Sequence, residues 1–367
     1  MLKKIGLVLK EKLNSFHAAD SIIFNNRVLK LDKDYFKEIS KDNSSLISNK
    51  KITFIDGGQA EILSGGNFCL SFIRVCGITF IGNKKSIICK KEFYVLTTAR
   101  YLDKKLIDQE HNQEHKQDDR ADDNTPSENI FSGEIYYESK LFGDQLIHEE
   151  DLFISSQDST LRSGQERAEI SKVTAMARRF AELSLADHIL NSHPLDSNRV
   201  DSSSSSVELN KNESNTIVLD GTLEQTFKNE DKYLRKLPKN VGGLAKSSSL
   251  FTTQGNSPII LLKQLGPSLS WFYPVTPKTS FVKLHPDSKH IFRFEGNAEV
   301  LPLLVQNSSD PTFLGYPYGL ILADKLARVS REEQKSLKLK FILDKNNQEV
   351  VEYLTTSNAH DILDNLG

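Results

Sequence analysis

No apolar run in the chain approaches the ~20 residues that a membrane-spanning helix requires. The opening segment, MLKKIGLVLKEKLNSF, interrupts its short apolar stretch with Lys10 and Lys12. It reads as an amphipathic helix rather than a signal peptide, so a cytoplasmic location with no membrane partner is the expectation. Cysteine is scarce: Cys69, Cys76 and Cys89 are an odd number with no C-x-x-C pair. That excludes a disulfide framework and a thiolate zinc site, and leaves buried free thiols as the expected state. His111 and His115 have ligand-like spacing, but no apolar helix face surrounds them, so no metal role is assigned to them. An excess of basic charge is also missing. Lys and Arg number 47 against 49 Asp and Glu, so any phosphate binding must come from local clusters rather than the whole-molecule field.

What the 367 residues do hold is enough apolar sequence, 38%, for a substantial core. KITFID (51–56) reads as a strand. CLSFIRVCGITFIG (69–82) and SIICKKEFYVLTT (86–98) read as a hairpin continuing it into an antiparallel meander. The charge-dense stretch 103–130 and the serine-rich stretch 196–215 read as flexible insertions. Between them, 164–192 predicts a helix with Ile170, Val173, Met176, Ala177, Phe180 and Leu183 along one stripe. TIVLDG (216–221) predicts a strand and the residues after it, up to Pro238, a helix. PIILLKQL, SLSWFYPV, SFVKLH and HIFRFE predict four more strands between 258 and 295. Their Trp271, Phe272, Tyr273 and Phe281 suggest a dimer surface. A helix is expected over 317–337, weakened at its start by Gly319, and a short one over 358–364. The domain reading is an N-terminal helical segment, 1–50, followed by one domain over 51–367.

Three carboxylates stand in a telling order. Asp56 is placed at the exit of the first strand, before Gly57 and Gly58. Glu182 falls off the apolar stripe of the long helix, yet beside Ala175, Ala186 and Ile189 rather than the Lys and Gln of a solvated face. Asp220 ends the next predicted strand. Each alone has a plain reading, since Asp-Gly is a common turn and a helical Glu is usually solvated. Together, the β-β-β-α-β order is the one in which a ribonuclease H-like mixed sheet with flanking helices assembles a carboxylate site. Hard oxygen ligands suit Mg²⁺ or Mn²⁺, and two such ions can drive phosphodiester hydrolysis. A phosphotransferase of the actin and sugar-kinase type would also use Asp-Gly turns, but would need a duplicated domain, and no internal repeat is present.

The stretches FIDGGQAEIL, ARRFAELSLA, IVLDGTLEQ, VGGLAKSSSLF, FRFEGN, GYPYGLILADKLARVSREEQ and AHDILD resemble the NurA family of prokaryotic DNA-end nucleases. The resemblance runs from about residue 50 to the C-terminus. It implies a ribonuclease H-like core with a strand-rich C-terminal extension, a homodimer, and a Mn²⁺- or Mg²⁺-dependent deoxyribonuclease with two ions per site. Its implied activity is 5'-3' exonuclease digestion, with ssDNA endonuclease activity besides, on DNA ends in double-strand break repair. The implied partner is a hexameric HerA-type ATPase translocase. By motif, Asp56, Glu182 and Asp220 are implied metal ligands, with His360 as a fourth ligand or proton carrier. Lys246 reads either as a loop lysine or as a phosphate contact. Tyr316 and Tyr318 either stack on DNA bases or pack under the following helix. One departure is Gly58, where the family usually has Ser; it admits a second reading, a catalytically weakened DNA-binding subunit of a translocase complex.

Overall fold

The computed structural model describes residues 2–15, 21–24, 27–40, 50–103, 133–144, 146–191, 215–246 and 250–357. The insertions at 103–130 and 196–215 lie outside the described residues except at their ends, as do His111, His115 and the 358–364 helix with His360. Among the described residues no helix is long and apolar enough to cross a membrane.

Helix α1 (Leu2–Ser15) precedes three short strands, β1 (Ser21–Phe24), β2 (Arg27–Lys30) and β3 (Lys37–Glu38). Among the described residues of 1–50, α1 is followed by strands and a 3-10 turn at Lys33–Tyr35, and β3 and β1 pair with β12 and β11 from the later chain. Three long strands follow, β4 (Lys51–Ser64), β5 (Phe68–Ile81) and β6 (Lys84–Asp103), forming the expected antiparallel meander. Strand β5 is buried along nearly its whole length, which explains why its sequence is continuously apolar rather than alternating: both sheet faces are covered. Beyond β7 (Gly133–Gly143) and β8 (Ile154–Ser155) comes helix α2 (Lys172–Asn191), then β9 (Thr216–Asp220), α3 (Asp231–Leu234), β10 (Val241–Ala245) and β11 (Phe251–Thr252). The rest is α4 (Pro258–Leu265), β12 (Trp271–Pro274), β13 (Thr279–Lys283), β14 (Phe292–Glu295), α5 (Leu301–Asn307), α6 (Tyr318–Ala327), α7 (Arg331–Leu343) and α8 (Gln348–Ser357).

The large sheet has the order β3-β12-β13-β14-β10-β9-β4-β5-β6-β7-β8. At its centre β9 runs parallel to β4, and β10 runs parallel to β9. The run β6-β5-β4-β9-β10, antiparallel on one side of β4 and parallel on the other, is the ribonuclease H-like core. The predicted strand-rich extension prolongs this same sheet through β14, β13 and β12. Helix α2 covers one face, where Ala177, Phe180 and Ala181 pack with Ile55, Val75 and Leu219. Helix α6 covers the other, where Leu320 and Ala323 pack with Phe54, Ile78 and Val218.

Several local expectations need correction. Strand β4 does not stop at Asp56 but continues to Ser64, because Gly57 and Gly58 serve packing rather than a turn. PIILLKQL is helix α4, started by Ser257, whose side chain accepts the Ile259 N–H, and by Pro258 at the first helical position, a strong helix-start signal. The helix expected over 164–192 begins only at Lys172. The one predicted after Asp220 shrinks to Asp231–Leu234. The 317–337 helix is two helices, separated where Ser330 caps α7 by accepting the Glu333 N–H, the local pattern of a capping box. Gly319 is required rather than tolerated, since a Cβ there would overlap the Phe54 ring. Trp271, Tyr273 and Phe281 are buried within the chain, with Phe36 packed edge-on to Trp271 at 4.7 Å between ring centroids, so they form no exposed dimer surface.

Candidate carboxylate site

Strand alternation assigns the site's side chains to faces. Phe54 belongs to the α6 face and Ile55 to the α2 face, so Asp56 lies on the α6 side and Gly57 on the α2 side. Likewise Val218 is on the α6 side and Leu219 on the α2 side, which directs Asp220 toward α6. The pairing of β4 with β9 ends at Ile55 and Leu219. Both aspartates therefore stand just past the point where the two parallel strands part.

Asp56 is 8% exposed, and its Oδ1 accepts the Gly57 N–H at 2.8 Å. Burial, followed by the negative charges of Asp220 and Glu182, pushes its pKa up to about 7, with a further contribution from Asp324. Asp324 was missed from sequence. It sits in α6, paired with Arg328 at 2.6 Å, and reads as half of an ordinary i,i+4 ion pair until the fold lays α6 across β4. The signal available was the spacing of Tyr316, which borders the site, from an aspartate two turns along the following helix.

Asp220 accepts from Lys246 Nζ at 2.7 Å, and that Nζ lies 5.6 Å from the Tyr316 ring centroid. Burial works against the Lys246 ammonium, but Asp220 and the Tyr316 hydroxyl outweigh it and hold its pKa above the usual lysine range. Burial in turn pushes the Tyr316 phenol up. Lys246 pairs with Asp220, and Tyr316 lies beside Lys246. Tyr318 instead packs against Phe80 with centroids 6.4 Å apart, which is the packing alternative.

Glu182 reaches the same edge from α2. It is 3% exposed, and burial raises its pKa against the opposing effect of Arg178 and Arg179. Its Oε1 accepts from Arg178 Nη1 at 2.5 Å, and its Oε2 lies 3.7 Å from Arg179 Nη1. Gly57 makes this approach possible: a Cβ there would stand 2.5 Å from Glu182 Oε1. Gly58 has a different cause. A Cβ there would meet the Ala327 carbonyl oxygen at 2.1 Å, so the end of α6 leaves no room for serine.

Among the described residues no group of three or more His, Cys, Asp or Glu side chains stands close enough together to hold a metal ion as it is. Two of the carboxylates are paired with cations, Glu182 with Arg178 and Asp220 with Lys246. The donor set nonetheless suits a hard divalent ion, being all carboxylate oxygen, and Asp56 is raised by burial and, after it, by the neighbouring negative charges. The three cysteines are free, with Cys69 and Cys76 buried as expected.

Fold and site together define a ribonuclease H-like α/β protein with an acidic cluster where its two central parallel strands diverge. No protein-family model matches the chain, and no curated protein does. Among solved structures, the NurA nuclease from Sulfolobus solfataricus is similar at 12% identity and a TM-score of 0.41, over 86% of this chain and 88% of that one. The catalytic domain of human Endonuclease V is similar at 11% identity and a TM-score of 0.37, over 92% and 98%. Ciona intestinalis Endonuclease V, solved with a 24mer DNA containing an inosine, gives 13% and 0.34, over 83% and 94%. Superpositions this loose assign no role to individual residues.

Proposed function

We propose that this chain is a metal-dependent deoxyribonuclease acting on DNA ends, of the NurA type. The observation that carries the proposal is Asp56, buried where β4 and β9 part, whose carboxyl is pushed up to about 7 by burial first and then by the charges of Asp220, Glu182 and Asp324. A buried cluster of like charge is costly unless a cation joins it. In this reading Asp56, Asp220, Asp324 and Glu182 hold Mn²⁺ or Mg²⁺, with His360 as a further ligand or proton carrier. When bound, two such ions stabilise charge on the attacking and leaving oxygens of a phosphodiester. Lys246 orients Asp220 and faces the incoming phosphate, half-exposed beside it. Tyr316 borders the strand path. The finer reading is a homodimer that digests 5'-3' together with a HerA-type translocase in break repair. The weakened-subunit reading rests on Gly58, and the close approach of the Ala327 carbonyl gives that residue a packing reason instead.

The test is digestion of end-labelled DNA with Mn²⁺ and with EDTA. Cleavage is expected only with the metal. Asp56→Asn should lower it roughly a thousandfold or more, since it removes a ligand charge without changing shape. Wild-type cleavage in EDTA, or by folded Asp56→Asn, would sink the proposal. A HerA-type ATPase with ATP should raise digestion of long duplexes.

A further inference from the structure

Glu182 is held by two neighbouring arginines that differ in every other respect. Arg179 is 10% exposed and fully engaged. Its Nε meets Glu230 at 2.8 Å, and its Nη2 donates to the Thr222 carbonyl at 2.5 Å. Glu230 is itself completely buried and accepts the N–H groups of Thr226 and Phe227 at 2.6 and 2.9 Å. Arg179 therefore ties Glu182 to the loop that leaves Asp220, and it has nowhere to go. Arg178 is 32% exposed. Besides Glu182 it donates to the Gly57 carbonyl at 3.2 Å and to the exposed Gln59 side chain at 3.1 Å. It lies across Gly57, where a Cβ would come within 2.9 Å of its Cγ.

We infer that Arg178 is an exchangeable arm. It neutralises Glu182 Oε1 in the metal-free protein, yields that oxygen to a divalent ion, and then pairs with a DNA phosphate while remaining anchored at Gly57 and Gln59. The inference rests on the nuclease reading. A guanidinium suits both tasks, because its planar fork matches a carboxylate and a phosphate equally. Its exposure lets it move, whereas Arg179 stays to keep Glu182 in place.

The test measures Mn²⁺ binding by calorimetry at pH 8 without DNA, and single-turnover cleavage at saturating Mn²⁺. Arg178→Gln should bind Mn²⁺ roughly tenfold more tightly, because the competing cation is gone, yet cleave at least about tenfold more slowly. Arg178→Lys keeps the charge but not the fork, and should fall between wild type and Arg178→Gln in Mn²⁺ affinity. It also serves if Arg178→Gln fails to fold. Unchanged or weaker Mn²⁺ binding in a folded variant would make Arg178 a static brace and overturn the inference. Absence of Mn²⁺ binding by the wild type would instead overturn the nuclease reading, and this inference with it.

Discussion

The two faces of strand β4 solve the same electrostatic problem in opposite ways. On the α2 face a single carboxylate, Glu182, meets two guanidinium groups, one of them locked by buried Glu230. On the α6 face, among the described residues, Asp220 pairs with Lys246 and Asp324 with Arg328, while Asp56 lies beside them. The first face is neutralised within the protein, by one guanidinium that is locked and one that is partly exposed. The second has fewer cations for its carboxylates, and the Asp56 carboxyl is raised by burial and then by that negative charge. The difference teaches where a cation is needed: on the α6 side of the fork between β4 and β9, with Glu182 leaning in from the other side through the gap that Gly57 leaves.

Adjacent glycines allow this contrast to be broken by substitution, and the largest effect is expected at Gly58. There a new Cβ strikes a backbone carbonyl at 2.1 Å, which only a shift of α6 can relieve. Gly58→Ser should cost about 2–3 kcal/mol of stability, read as a fall in chemical-denaturation midpoint. At Gly57 the obstacles are side chains, Glu182 Oε1 at 2.5 Å and Arg178 Cγ at 2.9 Å. Gly57→Ala should cost less stability, about 1 kcal/mol, while weakening Mn²⁺ binding more than Gly58→Ser does. Equal destabilisation by the two, with equal metal affinity, would erase the distinction between the faces.

A smaller effect is expected at Asp324. It is 40% exposed and already paired with Arg328, so it contributes less to the cluster than Asp56. Asp324→Asn should lower cleavage about tenfold at limiting Mn²⁺ and less at saturation, a pattern that a metal titration of the rate will show. No dependence on metal concentration would place Asp324 outside the site.

Much of the core was legible because its signals are local. The meander, the α2 stripe and the β9 strand each follow from residues close in sequence, and their order points to Asp56, Glu182 and Asp220. The failures share a cause, which is contact between distant segments. Nothing near Gly58 reveals that Ala327 will lie against it, so the sequence ends the strand at Asp56 where β4 in fact runs on to Ser64. Nothing near Asp324 reveals its approach to Asp56. The exposed-looking aromatics of 271–281 became core because Phe36, far earlier in the chain, packs on them. PIILLKQL was misread for a different reason: its apolar run suits strand or buried helix equally, and the Ser-Pro start was the deciding feature.

The smallest and most direct test of the charge deficit is the pH dependence of stability without metal. The Asp56 carboxyl titrates near 3.8 when free of the fold and near 7 within it. Between those values the folded state binds more protons than the unfolded one, so Asp56's contribution to stability falls as pH rises. That contribution is fully present below about pH 4 and is lost as pH passes through 7. Asp56→Asn is neutral throughout, so in EDTA its melting temperature should match the wild type near pH 4 and exceed it at pH 8. The expected gap is on the order of 2 kcal/mol, below the full value of the shift because Asp56 is not wholly buried. Saturating Mn²⁺ at pH 8 should reverse the order, since ligand binding stabilises only the protein that retains the site. Parallel melting curves across the whole pH range would mean that neither burial nor neighbouring charge raises the Asp56 carboxyl, and the contrast between the two faces of β4 would fall with it.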